Sequence, residues 1–223
     1  EAVLGHGEAR RRLEGVSRLI ERDDVDYVSV KVSSVVAQLQ MWTYDYTVER
    51  VVDALVPLYE KAAATNPPTF INLDMEEYRD LEMTLDVFQR VMSTPSLKNY
   101  YAGIVLQAYL PEALGAMQRL NAFAQKRVKA GGAQLKVRVV KGANLQMEQV
   151  DASLHDWPLA VLPSKQDSDT NYKRVLEWSL TPERASAIRI GVAGHNLFDL
   201  AFSHLLATKR GVTEHIDYEM LVG

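Results

Sequence analysis

Apolar positions along the chain follow two spacings, and the switches between them mark its elements. Over residues 7–22, Leu13, Val16, Leu19 and Ile20 recur at helical intervals among charges, which predicts an amphipathic helix. The run DYVSVKVSS (26–34) is β-branched and aromatic, and predicts a strand. Helix is predicted over 46–64, strand over 67–74, helix over 81–92 and strand over 103–110. A helix over 111–129 is closed by Gly131-Gly132, and a strand follows over 135–142. Helix is then expected over 145–154, a polar loop over 162–169 and a helix to about 178. The chain finishes with a turn (TPERASA), strand over 188–194, helix over 195–209 and strand from 215. Strands therefore alternate with helices, and most strands are near-continuous apolar runs. That is the pattern of a parallel sheet buried on both faces. No composition break or low-complexity tract interrupts 1–223, so a single domain is expected.

Polar residues gather at the C-terminal ends of the predicted strands: Lys31, Asp74, Gln107, Arg138 with Lys141, His195-Asn196 and Glu219. In a (β/α)8 barrel those ends form the active face, whereas a doubly wound sheet concentrates its ligand groups at one switch point. Spread over nearly every strand, they favour a TIM-like barrel. Six strands cannot close one, so the expectation is an α/β fold that is a distorted, incomplete (β/α)8 barrel. It would lack a strand before Glu1 and a strand–helix unit after Gly223.

Composition narrows the chemistry. A net charge of −4 over 223 residues argues against a nucleic-acid or anionic-membrane surface. There is no cysteine, which removes disulfides, thiolate zinc sites and a cysteine nucleophile, and suits a reducing compartment. No apolar run is long enough to span a bilayer, and no signal peptide is recognisable, so a soluble cytoplasmic chain is expected. No His/Asp/Glu set has metal-ligand spacing on one element, and neither a Gly-x-Gly-x-x-Gly nor a Walker sequence is present.

VRVVKGANLQME (137–148) carries charges where a strand core would have none. Pointing to the mouth of a barrel, Arg138 could hold a phosphate, a carboxylate or an electron-accepting ring; equally it could pair with Asp74 or Glu76. Lys141-Gly142-Ala143 lets the backbone approach a ligand where a helix begins, and a helix N-terminus favours anions. Lys31, among Val30 and Val32, reads as a buried lysine, either paired with Asp74 or serving Schiff-base chemistry. His195 either caps the helix that follows or contacts a ligand, and position favours capping. In SKQDSDTNY, Ser168 or Asp169 is the expected cap, with a ligand role for Ser164 and Lys165 as the alternative.

Taken together, DYVSVKVSS, INLDMEEYRDL, GIVLQAYL, VRVVKGANLQME, SKQDSDTNYKR, GVAGHNLFDLA and DYEMLVG resemble, in order, the flavin-dependent proline dehydrogenases. They look most like the proline dehydrogenase domain of bacterial bifunctional proline utilization A proteins. The resemblance implies FAD at the C-terminal ends of a barrel's strands. It also implies oxidation of L-proline to Δ1-pyrroline-5-carboxylate, by hydride transfer to flavin N5. Electrons would pass to a quinone at the inner-membrane surface, and an aldehyde dehydrogenase domain would act on the product in the same polypeptide.

Matched by position, the resemblance places Arg138 beside the flavin N5 edge, where a cation stabilises anionic reduced flavin. It sets Gln107 on the ring with Val105 and Met75 nearby, and Val140, Lys141, Gly142 and Ala143 along the cofactor. Ser164, Lys165, Ser168, His195 and Asn196 match the pyrophosphate and adenosine stretch. Lys31 would pair with the proline carboxylate, Asp74 would organise the substrate side, Leu221 would pack on the proline ring, and Glu1 would help to close the site. Two substitutions depart from the family: Ser164 and Ser168 stand where many members have threonine, and Asn144-Leu145 replaces an aromatic pair. The family's last helix, with two arginines for the carboxylate, does not appear. Two other readings follow: a catalytically impaired flavin-binding fragment, and a Schiff-base aldolase using Lys31 or Lys141.

Overall fold

The computed structural model describes residues 5–221. Its elements are α1 (His6–Ile20), β1 (Tyr27–Lys31), α2 (Val32–Val35), α3 (Tyr44–Ala64), β2 (Phe70–Asp74), α4 (Leu81–Met92), β3 (Gly103–Gln107), α5 (Ala113–Lys129), β4 (Leu135–Val140), α6 (Leu145–His155), α7 (Lys165–Ser179), α8 (Pro182–Ala185), β5 (Ile188–Ala193), α9 (Leu197–Arg210) and β6 (Ile216–Glu219). The strands form one open parallel sheet in the order β1-β2-β3-β4-β5-β6. Sequential order separates the two architectures weighed from the sequence. A doubly wound sheet reverses direction at a switch point, while repeated β-α units of a barrel wall add every strand on the same side.

The chain packs as two compact units, one of Glu1–Met75, Asp80–Ile104 and Gly131–Ala133, the other of Glu76–Arg79, Val105–Ala130 and Gln134–Gly223. In the first unit α3 buries Val48, Val51, Leu55, Leu58, Tyr59 and Ala62, a stripe at helical spacing. It packs against α4 and against β2, whose Ile71 and Leu73 are fully buried. Strand β1 alternates strictly: Val28 and Val30 are buried, while Tyr27, Ser29 and Lys31 are exposed. Burial on both faces therefore fails for β1, and Lys31 is not a buried lysine. The expected strand also stops early, because Val32–Val35 turn into α2.

In the second unit β4 and β5 present Leu135, Val137, Val139, Ile188, Ile190 and Val192 on one face, all buried. Helix α7 packs on β4 and α5 on β5. Each such aliphatic side chain removed from water contributes about 1.5–3 kcal/mol. On the opposite face the alternation brings up Lys136, Arg138, Arg189, Asp217 and Glu219. Gly131, at φ +77°, follows α5 as the sequence indicated. The stretch expected as a loop over 162–169 is half helix, since α7 starts at Lys165. Among the described residues no helix is long and apolar enough to cross a membrane.

Candidate cofactor site

The second unit carries its chemistry on the polar face of β4, β5 and β6. Register sets Arg138 opposite Gly191, and Gly191 opposite Asp217; Ala193 stands opposite Glu219. Arg138 donates from Nε to Glu219 Oε2 at 2.6 Å. Glu219 Oε1 lies 2.9 Å from Lys136 Nζ, which is also 3.0 Å from Asp217 Oδ2. Arg189 completes the row, donating from Nε and Nη2 to the two oxygens of Asp217 at 2.7 and 2.6 Å. Cations and carboxylates alternate along it. The Arg189 fork, helped by Lys136, holds the Asp217 carboxyl down at about 2. Arg138 thus pairs with Glu219 on β6, a carboxylate 81 residues further along the chain.

Beyond the end of β4 the backbone turns at Gly142, whose φ of +153° disfavours any side chain. A Cβ there would lie 2.4 Å from two ring carbons of Tyr109. That tyrosine is buried, which pushes its hydroxyl up to about 12. Gln107, 1% exposed, fastens the same turn: its Oε1 accepts from Ala143 N at 3.0 Å and its Nε2 donates to the Glu76 carbonyl at 2.7 Å. Asn144 donates to that carbonyl as well, at 2.8 Å. Val105 is buried on the same strand as Gln107, and Val140 is half-buried at the end of β4.

Two helix N-termini follow. Ser164 caps α7, accepting from Asp167 N at 3.1 Å. Asn196 caps α9, accepting from Phe198 N at 2.9 Å. The caps are therefore Ser164 in place of Ser168 or Asp169, and Asn196 in place of the exposed His195. In each case the short side chain directly preceding the helix is the one that can reach its N–H groups. Ser168, one turn on, donates to the Ser164 carbonyl. Lys141 binds both helices: its ammonium lies 2.5 Å from Asp169 of α7 and 2.6 Å from Asp199 in the first turn of α9. Burial would depress this lysine, but its bonds to the two carboxylates outweigh that and raise it. Lys165 reaches Asp169 at 2.6 Å and Lys173 reaches Asp199 at 3.6 Å. A Schiff-base lysine needs a neutral amine, and Lys141 is held as an ammonium.

The first unit holds Lys31, Asp74 and Met75. Lys31 and Asp74 are register partners on β1 and β2. Asp74 Oδ1 accepts from Asn72 Nδ2 at 2.8 Å and from Ser29 at 3.4 Å. Met75 is buried. Leu221 is 86% exposed, and Glu1 lies outside the described residues.

The model of the proline dehydrogenase family matches residues 1–223. The chain belongs to the proline dehydrogenase family. Among solved structures it is similar to proline utilization A from Corynebacterium freiburgense, at 48% identity and a TM-score of 0.96, covering 100% of this chain and 23% of that one. Proline utilization A from Bdellovibrio bacteriovorus, inactivated by N-propargylglycine, matches at 31% identity and a TM-score of 0.89, over 99% of this chain and 25% of that one. A Bradyrhizobium japonicum proline utilization A variant shares the fold, at 24% identity and a TM-score of 0.86, over 99% of this chain and 23% of that one. The chain thus spans about a quarter of the length of these relatives. No curated protein matches. The open sheet in sequential order is the fold of these neighbours' proline dehydrogenase domains, a distorted (β/α)8 barrel.

Within the proline dehydrogenase frame, sequence reasoning gave Lys136 no role, and passed over Arg189, Asp217, Asp199 and Asn72. A signal for Lys136 and Asp217 was present: Lys136 and Arg138, like Asp217 and Glu219, stand two apart on strands, the spacing that shares a face. The donor set of the second unit suits a flavin dinucleotide. Two capped helix N-termini and Lys165 suit a pyrophosphate, the side-chain-free approach at Gly142 suits close backbone contact, and an amide with a guanidinium suits a polar ring edge.

Proposed function

We propose that the chain serves as one flavin-binding domain, partial relative to the family barrel. In this reading it oxidises L-proline to Δ1-pyrroline-5-carboxylate with FAD. The observation that carries the reading is Arg138, half-buried on the polar strand face and held at Nε by Glu219. When bound, FAD supplies the acceptor for a hydride from the proline carbon next to nitrogen. Arg138 supplies fixed positive charge where negative charge grows during reduction, which a preorganised site does without reorganising solvent. Gln107, already locked to Ala143 and Glu76, orients the turn that meets the ring, with Met75, Val105 and Val140 as apolar neighbours. Lys141 fastens the starts of α7 and α9 to the end of β4, so that Ser164, Lys165 and Ser168 on one helix, and His195 and Asn196 before the other, face the phosphate and adenosine portion. Lys31 takes the substrate carboxylate and Asp74, steadied by Asn72 and Ser29, organises the substrate side. Leu221 covers the proline ring. The electron acceptor is a quinone at the cytoplasmic face of the inner membrane, and an aldehyde dehydrogenase domain takes the product onward.

The test is an anaerobic visible spectrum of the chain loaded with FAD, before and after L-proline. Bleaching of the oxidised-flavin band is expected. It should be slowed far more by Arg138→Met than FAD retention is weakened. A loaded chain whose spectrum proline leaves unchanged refutes the activity. Equal losses of reduction and retention would make Arg138 an anchor only.

A further inference from the structure

Arg138 does not sit alone on its strand face. Its Nε is engaged by one oxygen of Glu219, and the other oxygen of that carboxylate is engaged by Lys136. Glu219 lies two strands away from both, so side chains from β4 must pass over β5 to meet it. They pass at Gly191. A Cβ at that position would fall 2.2 Å from Glu219 Oε1 and 3.1 Å from Lys136 Cε. Any other residue would push the carboxylate off the path between the two cations. Lys136 is in turn tied to Asp217, and Asp217 to Arg189, so the whole row is fixed from below. The Lys136 and Glu219 side chains are only 10% and 19% exposed, which leaves little solvent to screen their charges.

We infer that Glu219 is the positioning residue of Arg138 and that Lys136, meeting Glu219 across the aperture at Gly191, sets how much of the Arg138 charge reaches the cofactor. The inference rests on the placing of Arg138 at the flavin. A charge-assisted bond at Nε restrains the plane of the guanidinium, so Glu219 acts on where it points. The same carboxylate opposes the guanidinium's field. Lys136 withdraws part of that opposition by sharing the carboxylate. The two residues therefore act on the cofactor in opposite directions, although both belong to one network.

The experiment is a photometric midpoint-potential titration of the FAD-loaded chain, carried out on Glu219→Gln, Lys136→Met and Arg138→Met, with FAD content measured for each. Glu219→Gln keeps shape and an acceptor oxygen but removes the negative charge, and should shift the potential upward. Lys136→Met should shift it downward, and Arg138→Met downward further. Should Glu219→Gln fail to fold, the double variant Lys136→Met/Glu219→Gln is read instead, and should return close to the unsubstituted value because one charge of each sign is gone. A downward shift in both single variants, or none, beside a lowered Arg138→Met would overturn the inference and leave Arg138 at the flavin. A double variant as low as Lys136→Met would overturn it too. An Arg138→Met that leaves the potential unmoved, or a chain that takes up no FAD, overturns the reading beneath it.

Discussion

Asp217→Asn isolates the lower half of the ionic row, away from the cofactor. In the folded chain the Asp217 carboxylate accepts a two-pronged bond from Arg189 at 2.6 and 2.7 Å and an ion pair from Lys136 at 3.0 Å. Together these lower its pKa from 3.8 to about 2. A difference of that size corresponds to about 2.4 kcal/mol. The side chain is 32% exposed, so solvent screening brings the expected contribution to about 1–2 kcal/mol. The sign follows from which state binds the proton more tightly. The folded pKa is depressed, so the stabilisation is complete above the unfolded value near pH 4 and drains away as pH falls toward 2. Urea unfolding of the parent and Asp217→Asn chains should differ by about 1–2 kcal/mol at pH 7. The gap should narrow to about a third by pH 2.5. A gap that stays constant from pH 7 to 2.5 would show that the variant loses packing or leaves Arg189 stranded, and that the ion pair contributes nothing through charge.

Two further substitutions probe the frame around the proposed cofactor. Gly142→Ala combines a positive φ with a Cβ forced into the Tyr109 ring, and should cost about 2–5 kcal/mol in urea unfolding; a loss below 1 kcal/mol would mean that the turn and the ring yield easily. Ser164→Ala removes the α7 cap and should cost about 1 kcal/mol. It should weaken FAD retention, while Ser164→Thr retains it; equal retention in all three would take Ser164 away from the pyrophosphate.

Much of this architecture was legible in the pattern of side chains. Helix α4 runs over the very residues its apolar period marked, because nearly every one of its large side chains is buried and nothing competes with the period. The failures share a cause. Val32–Val35 reads as strand because valine favours strands, yet there the chain leaves the sheet, and tertiary context overrides propensity. Lys31 reads as buried because its neighbours are apolar, but those neighbours face the other way across the pleat. Arg138 announced itself as a misplaced charge, while its partner did not. Glu219 lies 81 residues further along the chain, and no local pattern links the two. The cap at Asn196 is one residue from the position favoured on sequence, the margin within which helix starts are hardest to place, whereas Ser164 lies a full turn before Ser168.

The crossing at Gly191 has a consequence for how the sheet assembles. Only one alignment of β5 leaves an opening between Lys136, Arg138 and Glu219. Slipped by a single residue, β5 would bring Ile190 or Val192 to that face, since a one-residue slip turns every side chain over. Branched aliphatic groups would then wedge the cations from their carboxylates, and each charge would be stranded against hydrocarbon. Mispairing is thereby made costly at three strands together. The missing side chain works as a keyway, and the alternating charges as the key that admits a single fit.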